Sequence, residues 1–211
     1  MAYGLEYKNN NDVVTLDSEF SRLVVLQSGR YSGGVTFSPA ITTDEPPLVF
    51  VRPDASVTFQ YVTIGGGPGN WTGFSYIGGG AGKYFCAAFK SRETETYGLR
   101  LWDGSTNLLF DSGTPCAQFT RVISSWAYAG SVGTGQPGQY KTSWTAPSPL
   151  DTGDYMLINT IGMDVAGAST RYAKLYCVWD YGGNQVVPFI VGVNNSTLGF
   201  FVPIAFAKPI S

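Results

Sequence analysis

The chain has 211 residues, with 27 Gly, 31 aromatics (13 Phe, 13 Tyr, 5 Trp) and only 13% charged residues, about half the charged share of an ordinary soluble domain, roughly 25%. At 44% apolar it carries enough hydrophobic surface to offset chain entropy, which excludes a disordered chain, and it lacks the Ala-, Glu- and Lys-rich helical spacing of a bundle or coiled coil. Net charge is −2 and there is no histidine; this leaves no basic field for nucleic acid or acidic lipid and rules out Ser-His and Cys-His nucleophile pairs and His-based metal sites.

In chain order, residues 1–12 are polar and Asn-rich, unlike the basic start and apolar core of a secretory leader. The Asn run and the later Asp103-Gly104-Ser105-Thr106 each separate two short apolar runs. Asn, Asp and Gly tolerate positive φ, so both read as hairpin loops. Tyr3-Gly4-Leu5 recurs as Tyr97-Gly98-Leu99, and the sixteen-residue windows that they open end in Leu16-Asp17-Ser18 and Phe110-Asp111-Ser112. Phe20-Ser21-Arg22 then matches Phe119-Thr120-Arg121, Thr63-Ile64-Gly65 matches Thr160-Ile161-Gly162, and Lys83-Tyr84-Phe85-Cys86 matches Lys174-Leu175-Tyr176-Cys177. Colinear matches of this kind predict an internal duplication, with copies over residues 1–96 and 97–211, each near the common domain size of about 100 residues.

The local pattern is strand throughout. Residues 57–64 alternate aromatic or β-branched residues with polar ones, the period of a half-buried strand. Short apolar runs bounded by turn residues lie at 22–26, 48–51, 84–89, 99–102, 108–110, 121–124, 155–159, 175–179, 185–193 and 200–207. No window of ten or more shows a helical period, so the expected fold is all-β: two tandem antiparallel β-sandwich domains. Pro188 and Pro203 fall inside the last two runs and predict edge strands, because proline lacks the ladder donor. No apolar stretch approaches the roughly 20 residues of a membrane span.

Chemical motifs are sparse. There is no Gly-x-Ser-x-Gly elbow, and Gly65-Gly66-Gly67-Pro68-Gly69 lacks the Lys-Ser/Thr of a phosphate loop. Asp17, Asp111, Asp151 and Asp154 read as turn residues bonding their own backbone, and the acids are too scattered for a calcium site. Cys86, Cys116 and Cys177 read as reduced thiols. No catalytic residue, metal or cofactor is expected. The segment of most interest is 65–82, where nine glycines surround Trp71, Phe74 and Tyr76. Read as a surface loop, it offers aromatic faces for a glycan or a host surface; read as a folded segment, it turns the same rings onto the sandwich. Residues 126–144, where Gly, Ser, Thr and Gln surround Tyr128 and Tyr140, are a second candidate for such a contact and read equally as a flexible surface loop.

The opening Met1-Ala2-Tyr3-Gly4-Leu5, the Asn-rich turn, Leu16-Asp17-Ser18 and Arg22 resemble small tail-associated proteins of tailed bacteriophages. The resemblance covers about the first 25 residues and, through the repeat, residues 97–121. It implies a non-enzymatic component of a tail tip, baseplate or fibre, located in the virion, made in the bacterial cytoplasm, and partnered by other tail proteins and by copies of itself. The rival expectation is a carbohydrate-binding module or adhesin. Two copies in one chain depart from the one-domain pattern, and no functional residue carries over.

Overall fold

The computed structural model describes residues 6–8, 14–17, 22–90, 96–151, 153–165, 173–192 and 199–210. These form eighteen strands and no helix: β1 (Glu6–Lys8), β2 (Val14–Asp17), β3 (Val24–Ser32), β4 (Gly34–Ile41), β5 (Leu48–Pro53), β6 (Val57–Gly67), β7 (Asn70–Ile77), β8 (Ala81–Ala88), β9 (Arg100–Trp102), β10 (Leu108–Asp111), β11 (Cys116–Ile123), β12 (Ala127–Gly133), β13 (Tyr140–Thr145), β14 (Tyr155–Leu157), β15 (Asp164–Val165), β16 (Ala173–Asp180), β17 (Gln185–Gly192) and β18 (Ile204–Ile210). Every pairing is antiparallel. The all-β expectation holds.

Two hairpins, β1–β2 and β9–β10, stand as separate two-stranded sheets. The body has two layers. One is a closed barrel in the order β11-β18-β14-β5-β8-β3, and the other is a sheet in the order β12-β13-β17-β16-β6-β7-β4, with β15 beside β6 on the same flank of β16. Alternation along the barrel strands divides the core. Val49, Val51, Tyr84, Cys86, Met156 and Phe206 face Phe59, Phe74, Cys177 and Trp179 of the sheet. Phe50, Phe85, Ala87, Ala117 and Ala207 form a second cluster. Phe50 of β5 reaches Phe119 of β11, across the strand cycle, with ring centroids 5.9 Å apart, so this second cluster fills the barrel interior.

The expected boundary at residues 96/97 does not separate the sheets. Strands of both halves share the barrel and the sheet, and the seams run at β5–β14, β3–β11 and β6–β16 (Phe59↔Cys177, Thr58↔Val178, Val57↔Trp179). The pairing order is nevertheless unchanged when the halves are exchanged. β3-β8-β5 meets β11-β18-β14, and β4-β7-β6 meets β13-β17-β16, leaving β12 and β15 as additions to the second half. The hairpins correspond residue for residue at an offset of 94, β1–β2 (6–8, 14–17) with β9–β10 (100–102, 108–111).

The later sequence matches do not follow that correspondence. Lys83–Cys86 lies in barrel strand β8 and Lys174–Cys177 in sheet strand β16. Thr63–Gly65 lies in β6 but residues 160–162 form a turn. Arg22 precedes β3 whereas Arg121 is inside β11; Phe20, Ser21 and Tyr3 to Leu5 lie outside the described residues. The edge expectation for prolines also changes. Pro188 sits in β17, which has neighbours on both sides, but one residue past the last β13 pair at Phe189, so its missing donor falls beside the end of that ladder. Pro203 precedes β18.

Candidate functional site

The three aromatics of residues 65–82 belong to the core. The glycines extend β6 to Gly67, a Pro68-Gly69 turn follows, and β7 starts at Asn70, so the segment is a hairpin rather than a loop. Trp71, Phe74 and Tyr76 are 8%, 3% and 7% exposed. A strand buries alternate residues, and the three-residue step from Trp71 to Phe74 is accommodated by a register shift at Gly65/Gly66 opposite. Their polar atoms are satisfied inside: the Trp71 indole donates to the Thr43 carbonyl at 2.8 Å and the Tyr76 hydroxyl to the Gly79 carbonyl at 2.7 Å. Phe74 packs edge-on against Tyr31 and Tyr84. With their faces covered, these rings cannot stack on a glycan, and the surface-contact expectation at this segment is corrected.

Residues 126–144 likewise contain a hairpin, β12–β13, over a small third cluster. Trp144 is 3% exposed and stacks on Phe200 at 5.0 Å, while Trp126 meets the same ring edge-on. Asp111, Asp154 and Asp103 hold local structure. Asp111 accepts from Arg100 Nε at 2.8 Å and from the Gly113 amide. Buried Asp154 accepts from Thr120 Oγ1 at 2.8 Å and pairs with Arg121 Nε at 3.1 Å, and the same guanidinium lies over the Phe206 ring. Asp103 closes the β9–β10 loop by accepting from the Ser105 and Asn107 amides and the Asn107 side chain; the Asn107 side-chain bond leads in holding its carboxyl below the usual range. Among the described residues no group of three or more His, Cys, Asp or Glu is placed to hold a metal. All three thiols are free, and burial pushes that of Cys177 up to about 12 and that of Cys86 up as well.

Two surface features are built rather than incidental. The first is strand β12, Ala127-Tyr128-Ala129-Gly130-Ser131-Val132-Gly133, an outer edge of the sheet. It pairs only with β13, has no charge and no proline, and leaves Tyr128 and Val132 44% and 63% exposed. Proteins ordinarily blunt such edges with Lys, Pro or bulges; the opposite edge, β4, carries both Pro39 and a register shift, whereas β12 has a register shift at Tyr128/Gly130 but neither Lys nor Pro.

The second lies at one mouth of the barrel. The register pairs Arg30 with Lys83 and Lys83 with Arg52, a row of three cations across β3, β8 and β5. Their alternation matches that of Phe85 and Phe50, so the row continues the interior face to the rim. Arg30 pairs with Asp54; Lys83 and Arg52 meet no acid among the described residues. Two contiguous hollows of about 270 Å³ each open beside the row, sharing Arg52, Pro53 and Tyr181 and extending to Asp151 and Asn184. Sequence reading missed this row because pairings across 53 and 31 residues bring it together (30 to 83, 52 to 83).

Compared with protein families, curated proteins and solved structures, the chain matches none. No helix among the described residues is long and apolar enough to cross a membrane.

Proposed function

We propose that this chain is a non-enzymatic structural protein of a phage tail, working by fitting against neighbouring tail proteins and against copies of itself. The observation that carries the assembly reading is the bare edge of β12, seven residues without charge or proline at the end of a continuous sheet. An open ladder of this kind accepts a strand from a partner. The β9–β10 hairpin and the residues leading into it add apolar surface, with Tyr97, Leu99 and Trp102 at 91%, 47% and 49% exposure. Exposed apolar groups concentrated in this way mark contact surfaces. The phage assignment itself rests on the resemblance of the opening residues and of their counterpart at 97–121; the equal offset of the two hairpins supports the duplication.

The duplicated-module reading belongs to the same proposal: two copies that exchanged strands into shared layers account for the interchangeable pairing order. Mass spectrometry of gradient-purified virions tests the assignment. The polypeptide is expected in the particle at a fixed ratio to the other tail proteins. Its absence from particles that are otherwise complete rejects the reading. A carbohydrate-binding module built on Trp71, Phe74 and Tyr76 loses its footing with their burial.

A further inference from the structure

Like charges directly opposite one another across strands cost stability, yet three of the chain's 13 cations, Arg30, Lys83 and Arg52, occupy one cross-strand row. Neighbouring strands are about 4.8 Å apart, so the row spans roughly 10 Å. The acid beside it, Asp54, is taken by Arg30 in a solvent-exposed pair, which contributes little. The neighbouring hollows add different chemistry. Tyr181, 60% exposed, lines both hollows, and Asp151 and Asn184 line the far end. The Asn184 amide nitrogen donates to the Leu150 carbonyl at 3.1 Å, which leaves its side-chain oxygen as an acceptor.

We propose that this groove binds an acidic saccharide. Its carboxylate lies on Arg52 and Lys83, where the guanidinium fork suits a carboxylate. The C–H face of its ring packs on Tyr181, and its hydroxyls donate to Asp151 and the Asn184 side-chain oxygen. A bare inorganic anion uses only the cationic end and is repelled by Asp151. A nucleic-acid strand needs an extended basic track, which a chain of net charge −2 lacks. The proposal rests on the groove alone and is independent of the assembly reading.

Isothermal titration calorimetry on the full chain at low salt tests it, using trigalacturonate and sialyllactose as carboxylated probes, the methyl ester of each as neutral control, and inorganic phosphate as a simple anion. At least one carboxylated probe is expected to bind tenfold or more tighter than its ester and than phosphate. Arg52→Gln with Lys83→Gln is expected to abolish that preference at a thermal midpoint that is unchanged or raised, because like charges are removed, and Tyr181→Ala to weaken acid and ester alike. Lys83→Gln alone reads the same loss in part should the double variant fold poorly. Failure of both acids to bind at millimolar concentration overturns the proposal. So does equal affinity for acid and ester, phosphate binding as tightly as the sugars, or full binding by the double variant.

Discussion

Replacing Phe59 with alanine tests whether the two halves form one cooperative body. Phe59 is fully buried on β6, pairs with Cys177 across the β6–β16 seam, and packs on Tyr76 with ring centroids 4.8 Å apart. Truncating a buried Phe removes its transfer free energy and leaves a cavity, together about 3–5 kcal/mol. That is a large part of a whole domain's stability, roughly 5–15 kcal/mol. For a chain of this size it lowers the thermal midpoint by about 6–20 °C. The partition of that loss is the informative part. Because β16, β17 and β13 continue the same sheet through the seam, hydrogen exchange is expected to quicken in β16 and β17 as much as in β6 and β7. Denaturant unfolding is expected to keep a single transition, its midpoint lowered and its slope unchanged. Loss of protection confined to residues 22–90, with 97–211 unaffected, refutes the shared-layer reasoning and restores independent tandem domains.

Further outcomes follow from the same geometry. Phe74→Ala, at a ring 3% exposed, is expected to cost about 3–5 kcal/mol in urea melts; a near-neutral melt contradicts its place in the core. Gly78 has φ +135 and a Cβ there would sit on the Thr58 carbonyl oxygen. Gly78→Ala is therefore expected to destabilise by at least the roughly 1–3 kcal/mol of backbone strain, and an unchanged melting point refutes it. The reactive form of a thiol is the thiolate. With burial holding the Cys86 and Cys177 thiols protonated, iodoacetamide at pH 8 is expected to label Cys116 first and the other two only on unfolding. Equal labelling of all three in the native protein contradicts their burial.

What the sequence made legible was local. The Asn-rich and Asp103-Gly104 turns announced two hairpins, because turn residues between paired apolar runs fix a hairpin by themselves. The 2.0 period of residues 57–64 announced β6, and the missing helical period announced an all-β chain. What stayed hidden depends on which strand pairs with which. Residues 65–82 read as a loop because glycine is a turn residue by propensity, while here Gly65 to Gly67 lengthen β6 and allow a register shift that turns Trp71, Phe74 and Tyr76 inward. The interleaving of halves, the outer position of β12 and the Arg30-Lys83-Arg52 row arise only when distant strands align. Neither periodicity nor spacing along the chain encodes those alignments. The Lys83–Cys86 and Lys174–Cys177 match misled for a related reason: both are buried antiparallel strands with similar alternation, placed in different layers.

If the molecule works through its free sheet edge, docked to a neighbour in a tail, a side-chain-resolution cryo-EM map of purified tails shows it directly. Density for this chain is then expected, with the outer backbone groups of residues 127–133 hydrogen-bonded to a strand of an adjacent subunit. A tail in which the chain is present but this edge faces bulk solvent, or from which the chain is missing, contradicts it.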